Sequence, residues 1–164
     1  MANTIEKKYP GVAKNIPRIA LCERPTPVDV NEIVVDGARI AVAIKRDDLT
    51  SPVYGGNKVR KLEYLLRRAR DLGASRVATF GAVASNHATA TSIFSQREGF
   101  SCTCFLSHQT RTPAAGRALN MHNRLGTEIV EFGGSRRERI ATIRRTLRGQ
   151  KASIVPLGGT CPLG

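Results

Sequence analysis

Lys58 directly follows Gly55-Gly56-Asn57 and opens a stretch whose apolar residues, Leu62, Leu65, Leu66, Ala69 and Leu72, recur at helical spacing. The glycine pair lets backbone approach a ligand closely. The first turn of a helix puts the Lys58 ammonium at the positive end of the helix dipole, beside Arg60 and Lys61. That location disfavours the charged amine and suits a lysine that must be neutral and nucleophilic to condense with a carbonyl. A surface lysine after a turn fits the same pattern, and both readings stay open on these residues alone.

A second junction, Gly81-Ala82-Val83-Ala84-Ser85-Asn86-His87, comes directly after the expected strand around Val77–Phe80. Strand, small-residue turn and helix N-terminus together make an anion-binding arrangement. Ser85, Asn86 and the backbone N–H groups after them suit a carboxylate or a ring oxygen; an ordinary helix cap uses the same residues. His87 beside a cap reads more simply as a local hydrogen-bonding residue. Gly133-Gly134 and Gly158-Gly159 are turn signals, and neither fits a nucleotide-phosphate motif. Cys102 and Cys104 alternate on one strand face and are expected as buried, reduced thiols. With Cys22, Cys161, His87, His108 and His122 they show no metal-ligand spacing, so no metal is expected.

The elements that must position these residues form a regular series. Residues up to about 30 hold Pro10, Pro17, Pro25 and Pro27 and read as an extended arm. Ala38–Lys45 reads as a strand, and the next element is a helix from Asn57, its expected N-cap, to a stop at Gly73. Further strands begin near Val77, Cys102, Glu128 and Ala152, with helices at about 87–98, 114–125 and 136–148 and glycines 99, 126 and 149 at their ends. Such alternation with short connections predicts βαβ units: an open, parallel, twisted α/β sheet with helices on both faces, whose ligands bind beyond the C-terminal strand ends.

Composition bounds the function classes. The chain has 164 residues, 41% hydrophobic and 24% charged, an ordinary globular balance that excludes intrinsic disorder. Its longest apolar run, Ile40–Ile44, is too short to span a bilayer, so no membrane association is expected. Met1–Lys8 lacks an apolar leader, which makes the cytoplasm the expected compartment. The formal net charge is +13, nearly all of it after residue 50, which suits solvated helix faces or an anionic ligand. With 5% aromatic residues and no Trp, the stacking platforms of single-strand nucleic-acid binders are missing, and no nucleic-acid partner is expected.

Three segments in order, Ile44-Lys45-Arg46-Asp47-Asp48-Leu49-Thr50, Gly55-Gly56-Asn57-Lys58-Val59-Arg60-Lys61-Leu62-Glu63 and Ser85-Asn86-His87, resemble the D-cysteine desulfhydrase and 1-aminocyclopropane-1-carboxylate deaminase family. Pro17-Arg18-Ile19 and Pro25-Thr26-Pro27 match the family's N-terminal arm. These are pyridoxal 5'-phosphate (PLP) enzymes of the tryptophan synthase β-subunit fold type. The resemblance implies Lys58 as the Schiff-base lysine that later moves a proton at the substrate α-carbon. It implies Asn86 as hydrogen-bonding the pyridine 3′ oxygen, and Ser85, Asn86 and His87 as holding the substrate carboxylate, with Lys61 a supporting candidate. It further implies a lyase or deaminase acting on a small amino acid, releasing ammonia and an oxo acid; a homodimer is one open assembly state.

Members of the family are about twice this long, and their phosphate-binding loop and pyridine-nitrogen partner fall in the second half. After His87 the chain reads Ala88-Thr89-Ala90-Thr91-Ser92, where desulfhydrase-like members usually carry an Arg and a Gln. The expected organisation is therefore residues 1–50 as an arm and strand of an incomplete larger domain, 51–156 as a small α/β domain, and 157–164 as the entry into the larger domain. The open alternative is a non-catalytic fragment or interaction domain of the same fold.

Overall fold

The computed structural model describes residues 7–161. Most of the segment read as lacking a leader, residues 1–6, and the end of the expected entry segment, 162–164, lie outside the described residues. In chain order the elements are α1 (Pro10–Asn15), β1 (Val28–Val35), β2 (Ala38–Lys45), α2 (Asn57–Asp71), β3 (Arg76–Ala82), α3 (Asn86–Arg97), β4 (Ser101–Ser107), α4 (Pro113–Arg124), β5 (Glu128–Glu131), α5 (Arg136–Thr146) and β6 (Ala152–Ile154). Short 3-10 turns cover Asp47–Leu49 and Leu157–Gly159.

Four strands form a parallel sheet in the order β5-β4-β3-β6. Successive crossovers from β3 to β4 to β5 run one way, and the return to β6 runs the other. Right-handed connections therefore put α3 and α4 on one face and α5 on the opposite one. Side chains alternate accordingly. Thr79, Cys102 and Cys104 meet α3 residues. Phe80 and Phe105 are register partners on the other face, their centroids 5.3 Å apart, with Phe132 against both and Arg139 of α5 stacked over Phe132. The open parallel α/β sheet with helices on both faces is thus as the alternation predicts.

The apolar stripe of α2 (Val59, Leu62, Leu65, Leu66, Ala69) packs with Ile93 and Phe94 of α3 and Val77 of β3 into the main core. Each fully buried Leu or Phe there contributes roughly 1.5–3 kcal/mol. Helix α3 is buried along most of its length although it carries Thr89, Thr91 and Ser92. Their hydroxyls donate to carbonyls one turn back (Ser85, His87 and Ala88), which offsets their burial, whereas the buried Ser95 hydroxyl has no such partner. Cys102 and Cys104 are free and buried in β4, as expected.

Three local readings are corrected. The arm contains a helix, α1. It gives way to a strand at Val28, since β1 pairs antiparallel with β2 from Val28↔Lys45 to Val35↔Ala38. Asp36 and Gly37 join the two with positive φ values of 50° and 79°, the two-residue turn whose twist suits a hairpin. The N-cap of α2 is Gly56, at φ 113°, rather than Asn57, which is the first helical residue.

Candidate active site

Lys58 is presented by a turn locked against the segment before it. The Asp47 carbonyl accepts from Gly56 N at 2.7 Å, and Thr50 Oγ1 accepts from the same N–H at 2.9 Å while donating to the Asp47 carbonyl. Arg60, one turn into α2, donates to Asp47 Oδ1 at 2.7 Å. A Cβ on Gly55 would run into the Asp48 carbonyl, so only glycine fits there. This is why the Asp-Asp-Leu-Thr run and the glycine pair occur together: one turn clamps the other and fixes the start of α2. Lys58 itself is half-buried, and no hydrogen bond or ion pair of its amine exists among the described residues.

The arm secures the other side of α2. Glu63 is fully buried, and its carboxylate accepts from Leu21 N at 3.0 Å and Cys22 N at 2.9 Å, with Arg18 and Arg24 as ion-pair partners. Burial and the neighbouring Glu63 charge push the Cys22 thiol up to about 11. Sequence reasoning assigned Glu63 no role beyond the motif, because its partners lie about forty residues earlier in the chain.

The second junction is built as a cap. Ser85 Oγ accepts from Ala88 N at 3.3 Å, and the Ala84 N–H donates to Gln109 Oε1 at 3.0 Å, which holds the turn from the β4 side. Gly81 is required, since a Cβ there would lie 2.6 Å from Ser85 Cβ. The first-turn N–H groups of Asn86 and His87 have no intrahelical partner and point from the positive end of α3.

The structure packs the His87 imidazole inward, against Thr79. The residue is 3% exposed. Thr79 Oγ1 gives its proton to the Val155 carbonyl and stands 3.2 Å from His87 Nε2, which it therefore meets as acceptor; this selects the Nε2–H tautomer. Desolvation first, then the charges of Lys58 and Lys61, bring the His87 pKa down to about 4 against the opposing Pro156 carbonyl. The neutral ring leaves a buried Nδ1 without a partner. The Leu157–Gly159 turn covers it: a Cβ on Gly159 would stand 3.2 Å from both His87 Cε1 and Lys61 Cδ. Lys61 donates to the Gly158 carbonyl at 3.5 Å, so it serves that turn.

The two junctions converge at the C-terminal end of β3, where the crossovers diverge: the one leaving β3 runs to β4, and the one leaving β5 runs the opposite way to β6. That divergence is where open α/β sheets place ligands. Tyr54, from the Lys58 loop, donates to Asn86 Oδ1 at 3.2 Å and bridges the junctions directly. Sequence reasoning missed Tyr54, Thr79 and Gln109 as contributors. An aromatic residue next to a glycine pair was the one available signal for Tyr54. The arrangement brings together an amine, a side-chain amide, a hydroxyl and two free backbone N–H groups. That donor set suits a carbonyl-bearing, anionic ligand. Among the described residues no group of three or more His, Cys, Asp or Glu could hold a metal ion.

Comparison with known proteins gives the class. The family model for pyridoxal-phosphate-dependent enzymes matches residues 19–164, and the chain belongs to that family. A Thermotoga maritima protein provisionally named a 1-aminocyclopropane-1-carboxylate deaminase is 39% identical over 153 residues, covering 90% of this chain and 48% of that protein. Nocardicin C-9' epimerase of Nocardia uniformis is 36% identical, and a D-cysteine desulfhydrase of Salmonella newport 32%, each over 90% of this chain. They are covered for 46% and 48% of their own lengths, so the chain spans about half the length of the curated relatives it matches. The crystal structure of an ACC deaminase homologue superposes with a TM-score of 0.74 at 28% identity, over 99% of this chain and 50% of that one. A hydrogen sulfide-producing enzyme of Fusobacterium nucleatum shares the fold at a TM-score of 0.59 and 13% identity.

The residues present fit the family's cofactor. Among the described residues the Lys58 amine and the Asn86 N–H₂ are unpaired, which suits an aldehyde and a ring oxygen, and the open first turn of α3 suits an anionic group.

Proposed function

We propose that this chain carries the lysine-bearing half of a PLP-dependent enzyme acting on a small amino acid of the D-cysteine or 1-aminocyclopropane-1-carboxylate type, with release of ammonia and an oxo acid and, from a D-cysteine-type substrate, sulfide. The observation that carries the reading is the meeting of the Lys58 loop and the Asn86 helix end beyond β3, joined by the Tyr54–Asn86 hydrogen bond. When bound, the cofactor supplies the electron sink for chemistry at the substrate α-carbon.

In this reading Lys58 Nζ would hold the cofactor and, once displaced by the substrate amine, move a substrate proton: the α-proton of a D-cysteine-type substrate, or a ring-methylene proton of a cyclopropane amino acid, whose α-carbon carries none. The Asn86 N–H₂ donates to the ring oxygen. Ser85 Oγ, whose lone pair already accepts from Ala88 N, has its own proton to give a substrate carboxylate, beside the N–H groups of Asn86 and His87. His87 acts through its backbone and through packing, because its neutral ring is turned to Thr79. The epimerase among the relatives widens the reaction class. Elimination and epimerisation both need a proton removed at one carbon, so Lys58 serves either, and the substrate sets the outcome.

The test is titration of PLP into the chain, read by visible absorbance, with Lys58→Ala as control. We expect a weak band that Lys58→Ala abolishes. The band is weak because the family's phosphate-binding loop lies in the half of the relatives beyond this chain. A band unchanged in the variant removes Lys58 from the role, and no band in the wild type favours a non-catalytic domain of the same fold.

A further inference from the structure

Tyr54 occupies an unusual place between core and site. Its ring packs against the main core cluster, while its hydroxyl reaches the open end of α3 and donates to Asn86 Oδ1 at 3.2 Å. Half-burial raises the phenol's pKa above its usual value, so the hydroxyl keeps its proton and serves as a donor. Asn86 is otherwise exposed, and its N–H₂ has no partner among the described residues.

An unrestrained asparagine amide turns over easily and offers a ligand either its oxygen or its N–H₂, the two ends being almost equal in size. A hydroxyl donor fixed at Oδ1 removes that freedom. The oxygen stays with Tyr54 and the N–H₂ edge is left for the ligand. The fixing is stiff, because a half-buried aromatic ring has only two side-chain torsions and both are set by packing. Tyr54 also sits one residue before the glycine pair that presents Lys58, so it ties the position of the amide to the position of the lysine.

We infer that Tyr54 is a positioning residue that clamps the Asn86 amide with its N–H₂ toward the ligand, restricting that position to ligands presenting an acceptor oxygen. The acceptor is the ring hydroxyl oxygen of a pyridoxal-type cofactor, and in this respect the inference rests on the function proposed above.

The experiment uses the full chain with Tyr54→Phe, Asn86→Ala and the double variant. In the cofactor-free chain the side-chain amide signals of Asn86, identified by their loss in Asn86→Ala, are tracked by heteronuclear NMR. We expect Tyr54→Phe to move them while signals of the core strands stay in place; unmoved amide signals overturn the clamp with no reference to any cofactor. PLP is then titrated into each variant. Tyr54→Phe weakens binding by about three- to tenfold, the worth of one hydrogen bond, and has no further effect once Asn86 is Ala. An equal loss in both backgrounds, or no loss, also overturns the inference. Moved amide signals in a chain that binds no PLP overturn the cofactor reading and leave the clamp standing.

Discussion

The hairpin β1–β2 and the parallel sheet are built from the same strand-forming residues and meet opposite fates. In β3 and β4, Val77, Ala78, Cys104 and Phe105 are buried completely by helices on two faces. In the hairpin, Val28 is 55% exposed, Val30 72% and Val34 67%, and Ile33, Ile40 and Ile44 are open as well. Successive residues point to opposite faces, so both faces of the hairpin are apolar and uncovered. The difference teaches that backbone pairing and core formation are separate achievements. Eight residue pairs are in register between β1 and β2, yet a two-stranded ribbon is at best marginally stable by itself. We propose that the hairpin belongs with further chain of the kind that makes its relatives twice as long, and that the parallel sheet with α2 to α5 is the unit that folds around its own core.

Substitutions can break or sharpen this contrast. Phe94→Ala, in the core between α2 and α3, should cost about 3–5 kcal/mol, read by urea unfolding. A small loss there would mean that the helix-covered sheet is not the stable unit. Glu63→Ala removes the buried carboxylate from the partly buried Arg18 and Arg24 and from the Leu21 and Cys22 N–H groups and should cost about 3 kcal/mol, with Ile19–Arg24 becoming protease-sensitive. An arm that stays protected would show that the carboxylate does not anchor it.

A middling effect is expected from pH. His87 takes a proton near pH 6.5 in the unfolded chain and only near pH 4 in the folded one. The unfolded state therefore binds more protons between those values, and stability should fall as pH drops through that window while being fully present above it. His122, also held neutral by burial, acts in the same direction. His87→Gln should flatten the fall between pH 7 and pH 5 in urea titrations, and an unchanged slope would show that the ring is solvated. The smallest effect belongs to the hairpin. Val30→Ala should change stability by under about 0.5 kcal/mol, and a core-sized loss would mean that the hairpin is already packed.

The same contrast explains what the sequence reveals. Period-2 and period-3.6 patterns, with glycines after each helix, place β2 to β6 and α2 to α5 within a residue or two, because these are local properties. The strand at Val28–Val35 is signalled by Asp36-Gly37 between two apolar runs, but the prolines before it dominate the reading. The site is legible as a set of residues, since Lys58, Ser85, Asn86 and His87 sit at two loop-to-helix junctions. Its orientation is not. That His87 faces Thr79, that Glu63 reaches back to the arm and that Tyr54 meets Asn86 are consequences of packing between segments far apart in the chain. No spacing rule carries such information.

The most direct measurement of the central claim is to incubate the chain with PLP, reduce with borohydride and map the labelled peptide by mass spectrometry. The account predicts pyridoxyl label predominantly on Lys58, lost in Lys58→Ala and not transferred to Lys61. Label spread evenly over Lys45, Lys61 and Lys151, unaltered by Lys58→Ala, would contradict it.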